Sequence, residues 1–224
     1  MAEAAMRSYA RRFALLLKSN WYENREQKPL VRLGRWLAVF TYPLYRCGVY
    51  VVMSRSLAEP LADVAPAVAV SAVRLSAEHL PALESITTPA DGQRLAQLLA
   101  RGSKGFGVMM DGRIIGYGWV SFTLFPDLHR VVVPLRPGEA FIHDVFVLPS
   151  FRRKRVAAFL QAFIFAFLRR RGYTCVLCHI FIENRGALAF HRKLGYIEVG
   201  RLVHRRILWW DWFRYTPQKE GEHA

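Results

Sequence analysis

Four consecutive cations, Arg152, Arg153, Lys154 and Arg155, stand directly ahead of a long apolar run in "LPSFRRKRVAAFLQAF", residues 148–163. The run places Val156, Phe159, Leu160, Phe163 and Phe167 on one face of a helix that Gly172 ends, so the cations sit where a helix begins. A helix start carries unpaired N–H groups and the positive end of the macrodipole, and it attracts anions rather than cations. Two arrangements make the charge tolerable. Either the long side chains splay into water, where salt screens them, or a phosphate settles on the free N–H groups and the cations clamp it. Charge alone does not choose between them.

The flanking segments narrow the fold. "AFIHDVFVL" ahead of the loop and "TCVLCHIFI" beyond the helix read as strands. Upstream, "VSAVRL" reads as a strand, Ser76 opens a helix reaching Ile86, and Asp91 is placed to cap a second through Ala100. "FGVMM", the Asp111–Gly112 pair and "RIIGYGWVSF" give a strong hairpin signal. Pro126, Pro134, Pro137 and Gly138 mark a loop over 122–139. Downstream, Arg185 to Leu194 forms a short helix with Gly195 as its C′ residue, and "YIEVGRLV" begins the last strands. Strands and helices mix in an α+β layer arrangement with no internal repeat.

At 224 residues and 53% hydrophobic content the chain suits one ordinary domain plus an extension. Its 32 Lys+Arg against 17 Asp+Glu leave +15, which calls for an acidic partner: nucleic acid, anionic lipid, a phosphorylated cofactor or an acidic carrier protein. Nucleic acid is disfavoured. The basic clusters at 152–155, 169–171, 192–193 and 205–206 fall at element ends without interleaved aromatics, and no helix-turn-helix, zinc-finger or RRM signature is present.

Cys47, Cys175 and Cys178, with no secretory signal, point to a reducing cytoplasm. "CVLCH", residues 175–179, matches a haem-attachment pattern but sits inside a strand. Alternation sends Cys175 and Cys178 to opposite faces, so they do not read as a zinc pair, and no metal is expected.

Residues 1–65 form a basic, aromatic-rich extension with helical spacing in "RSYARRFALLLK". It is expected to pack on the main domain, ending in the strand "GVYVVMS", or to lie peripherally on an anionic membrane surface at the inner face. In the second arrangement Trp36, Tyr42 and Tyr45 reach headgroup depth and Arg32, Arg35 and Arg46 meet phosphates. Pro43 and Arg46 interrupt the longest apolar piece and argue against a membrane span. Pro60 and Pro66 punctuate a linker, so the domains read as 1–65, 66–216 and a polar tail over 217–224.

The strand, then "VLPSFRRKRVA", the long helix, a strand and "NRGALAFHRKLGYIEVG" together resemble the core of the GNAT acyltransferase superfamily, and the similarity extends from about Val70 to about Arg214. The resemblance implies a mixed, mostly antiparallel central sheet flanked by helices, and acetyl-CoA or another acyl-CoA as co-substrate. Arg152 opens the family's pyrophosphate loop and Ala157 ends it; Asn184, Ala187, Lys193, Leu194, Gly195 and Tyr196 fit the second motif. By that resemblance Arg152, Arg153, Lys154, Arg155, Val156, Ala157 and Ala158 line the pyrophosphate site. The backbone of Val145, Phe146 and Val147 pairs with the pantetheine arm and polarises the thioester carbonyl.

One position departs from the family pattern. Arg155 replaces the first loop glycine, where backbone must approach phosphate closely, so its side chain either swings outward or fills the site. His191 stands where the family often has an acid Tyr, and His179 where some members carry a Glu base, with His143 and Asp144 as competitors on the preceding strand. Asn184 reads as a cofactor ligand or a helix cap.

The leading expectation is direct acyl transfer to an amine, a small amine, an amino sugar or a protein N-terminus. Two other readings are a non-catalytic module docking on an anionic membrane or acidic carrier protein, and a transferase whose donor is an acyl carrier protein, matched by the +15 charge.

Overall fold

The structure, a computed structural model, describes residues 45–59, 61, 64–87, 89–123, 135–207 and 210–218. In chain order the elements are β1 (Tyr45–Ser56), β2 (Ser71–Leu75), α1 (Leu80–Glu84, entered through a 3-10 turn over Ala77–His79), α2 (Pro89–Ala100), β3 (Lys104–Met110) and β4 (Arg113–Ser121). They continue as β5 (Glu139–Val147), α3 (Val156–Arg169), β6 (Cys175–Phe181), α4 (Arg185–Lys193), β7 (Ile197–Ile207) and β8 (Trp210–Pro217). Two compact units divide the chain: Val49–Leu202 with Arg214–Ala224, and Met1–Gly48 with Val203–Phe213. The expected N-terminal helices, with Trp36, Tyr42, Arg32 and Arg35, lie outside the described residues, as does most of the 122–139 loop.

In the larger unit the strands run in the order β2-β3-β4-β5-β6-β1-β7-β8, the last three contributing residues 49–56, 197–202 and 214–217. β2–β3, β3–β4, β4–β5 and β6–β1 pair antiparallel, and β5–β6 pairs parallel. The sheet is therefore mixed and mostly antiparallel, as expected. It also reaches back past residue 66, because β1 pairs with β6 from Tyr50↔Phe181 to Ser56↔Cys175. In the smaller unit His204 contacts Asp211 at 2.7 Å and stacks on Phe213 with centroids 4.4 Å apart.

Local chemistry explains most boundaries. Asp111 and Gly112 both hold positive φ, 48° and 73°, as a two-residue hairpin turn twisted with its strands requires. The backbone N–H of Ser76 donates to His79 Nδ1 at 3.2 Å, closing the start of the 3-10 turn. Helix α2 starts at Pro89 rather than at an Asp91 cap, since proline is pre-set for the first helical turn and lacks the N–H that would go unpaired there.

Side-chain alternation along β4 divides the core between the two faces. Val120 joins Ala140, Ile142, Val176 and Cys178 under Val156, Leu160, Ile164 and Leu168 of α3. Trp119, with Ile114, Tyr117 and Leu75, packs under Leu83 of α1 and Leu95 and Leu98 of α2. The buried stripe of α3 is thus Val156, Leu160, Gln161, Ile164, Phe165 and Leu168, while Phe159, Phe163 and Phe167 are half-buried at its flank. Helix α3 is apolar nearly all round, so periodicity could not fix which face turns inward.

This packing sets an expected ranking. Leu168→Ala should lower stability by about 2–5 kcal/mol, and Phe159→Ala, on the flank, should cost less. Urea unfolding of the two variants checks the order.

Candidate active site

Strands β5 and β6 touch along only three residue pairs, Glu139↔Cys175, Ala140↔Val176 and Phe141↔Leu177. Both continue beyond this contact, each held by its outer neighbour: β5 pairs with β4 to Gly116↔Val147, and β6 with β1 to Tyr50↔Phe181. The inner edges therefore part into a wedge. The strand β5 bulges where the gap opens: Tyr117 faces Phe146 and Trp119 faces His143, leaving Asp144 and Val145 opposite the single residue Gly118. Asp144 takes φ +52°, the left-handed conformation that one side of a bulge can demand. Of the expected pantetheine strand, Val145 belongs to this bend and Phe146 and Val147 follow it.

The cationic loop follows. Leu148 N donates to Ile115 O at 2.9 Å, and Pro149–Phe151 makes one 3-10 turn. Arg152 folds back so that its Nε donates to Val147 O at 3.2 Å, and the Lys154 ammonium sits 5.2 Å from the Phe151 ring. Arg153 and Arg155 both take left-handed backbone, φ 62° and 61°, and both side chains are exposed. Arg155 therefore adopts a backbone conformation that glycine takes far more readily than an L-residue. Its carbonyl accepts the first helical bond, from Phe159 N at 3.0 Å, so the amides of Val156, Ala157 and Ala158 precede the ladder and stand free of it. Successive amides around left-handed residues at a helix start make an anion-binding concavity.

A polar chain lies on the face of β5 opposite α3. The Asp144 carboxylate pairs with Arg94 of α2 and, at 2.8 Å, with His143 Nδ1; His143 Nε2 lies 2.9 Å from Ser121 Oγ, itself 2.7 Å from Ser103 Oγ. Burial pushes the Asp144 carboxyl up, but the His143 hydrogen bond and charge and the Arg94 guanidinium outweigh it and hold it at about 2. The His143, Phe141 and His179 rings form one stack, with centroid spacings of 5.7 and 5.2 Å, and Tyr50 meets His179 edge-on. His179 lies just past the last β5–β6 pair. Burial and, secondarily, the His143 charge push it down to about 4, and its Nδ1 has no partner among the described residues.

Helix α4 carries the second motif. Asn184 caps it, its Oδ1 accepting from Ala187 N at 3.1 Å. His191 is buried; its Nδ1 donates to Ala187 O at 2.8 Å, which leaves Nε2 as the bare acceptor, and burial lowers its pKa. The ring packs edge-on against Tyr196, whose hydroxyl donates to Gln161 Oε1 at 3.3 Å. Cys178 is in the core and Cys175 faces Ser54 on the other side of the sheet, as alternation implies. Among the described residues no three His, Cys, Asp or Glu side chains cluster to hold a metal ion.

From the sequence, His143 and Asp144 stand as competitors for one role, and Arg94, Ser103 and Ser121 carry no signal. The bulge brings the His143 and Asp144 side chains into one hydrogen bond, which strict alternation forbids.

The histidine geometry gives a pH signature. The unfolded chain protonates His179 near the ordinary 6.5 and the folded one near 4, so stability present above 6.5 is lost as pH falls toward 4. Replacing His179 by Gln should flatten that part of a plot of Tm against pH. Separately, Arg155→Gly should relieve the left-handed strain and raise stability by about 1 kcal/mol.

Residues 73–196 match the family model described as "Acetyltransferase (GNAT) family". An uncharacterised N-acetyltransferase of Methanocaldococcus jannaschii is 28% identical over 102 residues, 45% of this chain and 42% of that protein. A crystal structure from Novosphingobium aromaticivorans, assigned to the GNAT family, superposes with TM-score 0.51 at 19% identity over 70% of this chain and 63% of that one. A GCN5-related N-acetyltransferase from Sphaerobacter thermophilus does so with TM-score 0.54 at 19% identity, over 78% and 56%. The chain thus spans less than two thirds of the length of these relatives, and the solved structures share its fold. With more than half of its residues inside the family match, and with the wedge and loop in place, the chain belongs to the GNAT acetyltransferase family.

Proposed function

We propose that this protein is an acyl-CoA-dependent N-acyltransferase, with acetyl-CoA as donor and a small amine or amino sugar as acceptor, acting in the cytoplasm. The observation that carries the reading is the parting of β5 from β6 beside a left-handed loop whose following amides are free. A pantetheine arm would add to the exposed edge of residues 145–147 as an extra strand, and the pyrophosphate would rest at the start of α3 between Arg153 and Arg155.

In the proposed reaction the amine nitrogen attacks the thioester carbonyl, the new C–N bond forms, and the C–S bond breaks to release thiolate. A backbone N–H of residues 145–147 stabilises the oxyanion. His179, kept neutral by burial and with a free ring nitrogen, takes the ammonium proton directly or through water. His191 holds the acid position, but as found its Nδ1 proton is committed to Ala187, so protonation of sulfur would come from Nε2 of the imidazolium. Asn184 acts through its cap, which fixes the start of α4. A second donor, an acyl carrier protein, is favoured by the +15 charge and the exposed Arg153 and Arg155. Contact with an anionic membrane would fall to residues 1–65.

Calorimetry with acetyl-CoA should show micromolar binding that Ala157→Glu weakens at least about tenfold, since one carboxylate would face the diphosphate. In transfer to polyamine and amino-sugar panels, His179→Gln should reduce kcat by about 100-fold or more. Absence of binding to acetyl-CoA and to longer acyl-CoAs would overturn the CoA reading; binding of an acyl carrier protein instead would support the second donor.

A further inference from the structure

Asp144 combines three features that an ordinary strand residue lacks: a left-handed backbone at the bulge, a strongly acidic carboxyl, and charged or polar partners on two elements. The partners form a circuit. It leaves α2 at Arg94, passes through Asp144 and His143 on β5 and Ser121 on β4, and returns at Ser103, three residues past the end of α2 and held by its own N–H to Leu98 O at 3.0 Å. Ser103, Ser121 and His143 are 2%, 0% and 7% exposed. Such a chain, with a partner at each joint, rigidifies what it connects.

Backbone conformation alone does not require a carboxylate here, since glycine or asparagine occupies the left-handed region as well or better. A half-buried ion pair is also a weak source of net stability, because desolvation and solvent screening offset the attraction. The charge is therefore best explained by where it holds the bulge.

We propose that Asp144 is a positioning residue for acyl transfer: tied to Arg94 on one side and to the buried His143–Ser121–Ser103 chain on the other, its carboxylate sets the angle at which the backbone of residues 145–147 faces the wedge. The proposal rests on the acyl-transfer reading above. It makes α2 part of the machinery that aims the oxyanion donor, although α2 contributes no group to the reacting atoms. Loss of the carboxylate leaves the loop that holds the diphosphate intact, so donor affinity and carbonyl polarisation separate.

The test uses acetyl-CoA labelled with carbon-13 at the carbonyl, full-length protein, and the variants Asp144→Gly and Arg94→Gln. Glycine keeps the left-handed backbone without the carboxylate, and Arg94→Gln leaves the bulge sequence untouched should the first variant fold poorly. Both variants should lose less than about tenfold in acetyl-CoA affinity, the share of the pantetheine contact at 145–147, while the downfield shift of the bound carbonyl collapses toward its free value and kcat falls by about 100-fold; Arg94→Lys should recover part of both. Retention of the shift and the rate in both variants overturns the proposal. If the parent protein binds no acetyl-CoA, the choice of acetyl-CoA as donor fails by itself. Amide exchange of residues 145–147 in the free protein then decides the clamp: faster in both variants supports it, and unchanged exchange refutes it.

Discussion

The site depends on an incomplete pairing. A parallel pair of strands deep in a sheet would ordinarily share hydrogen bonds along its whole length, because unpaired backbone groups away from water are costly. Here β5 and β6 stop after Phe141↔Leu177, while β4 and β1 hold their outer edges almost to the ends. The sheet stays intact on both sides of a slot along which β5 and β6 no longer pair with each other. An extended molecule with amide bonds of its own would find room there as an added strand.

The bend that opens the slot and the loop that closes its end use the same device. Asp144, Arg153 and Arg155 all adopt backbone that L-residues avoid, and all lie within twelve positions on one stretch of chain. Strain concentrated in this way is tolerated where packing over-determines it. Gly116 contributes by letting β4 lie close: a Cβ there would come within 2.9 Å of the Phe146 carbonyl oxygen. The polar network of Asp144 and the apolar bed of α3 grip opposite faces of the same strand.

Much of this was legible in the residues. The hairpin at Asp111–Gly112, the stop at Gly172 and Gly195, and the split of Cys175 from Cys178 follow from local rules with few competitors. The inward face of α3 was not legible, because Phe159, Phe163 and Phe167 compete with Ile164 and Leu168 on an apolar cylinder. The Arg94–Asp144 pair joins residues 50 positions apart through a bulge that no pattern of period two announces. The helix cap of Asn184 is short-ranged and was weighed from sequence, whereas the tautomer of His191 depends on a carbonyl that only the folded helix presents.

The strand β1 enters the sheet between β6 and β7, joining residues such as Ser54 and Cys175 across 121 positions of chain. Closure of so long a loop is slow, and during synthesis β1 waits, unpaired along both edges, until the residues of β6 have been made. The nascent chain therefore passes through a stage with unprotected strand edges, in which a chaperone or a neighbouring copy competes for the place that β6 will later fill.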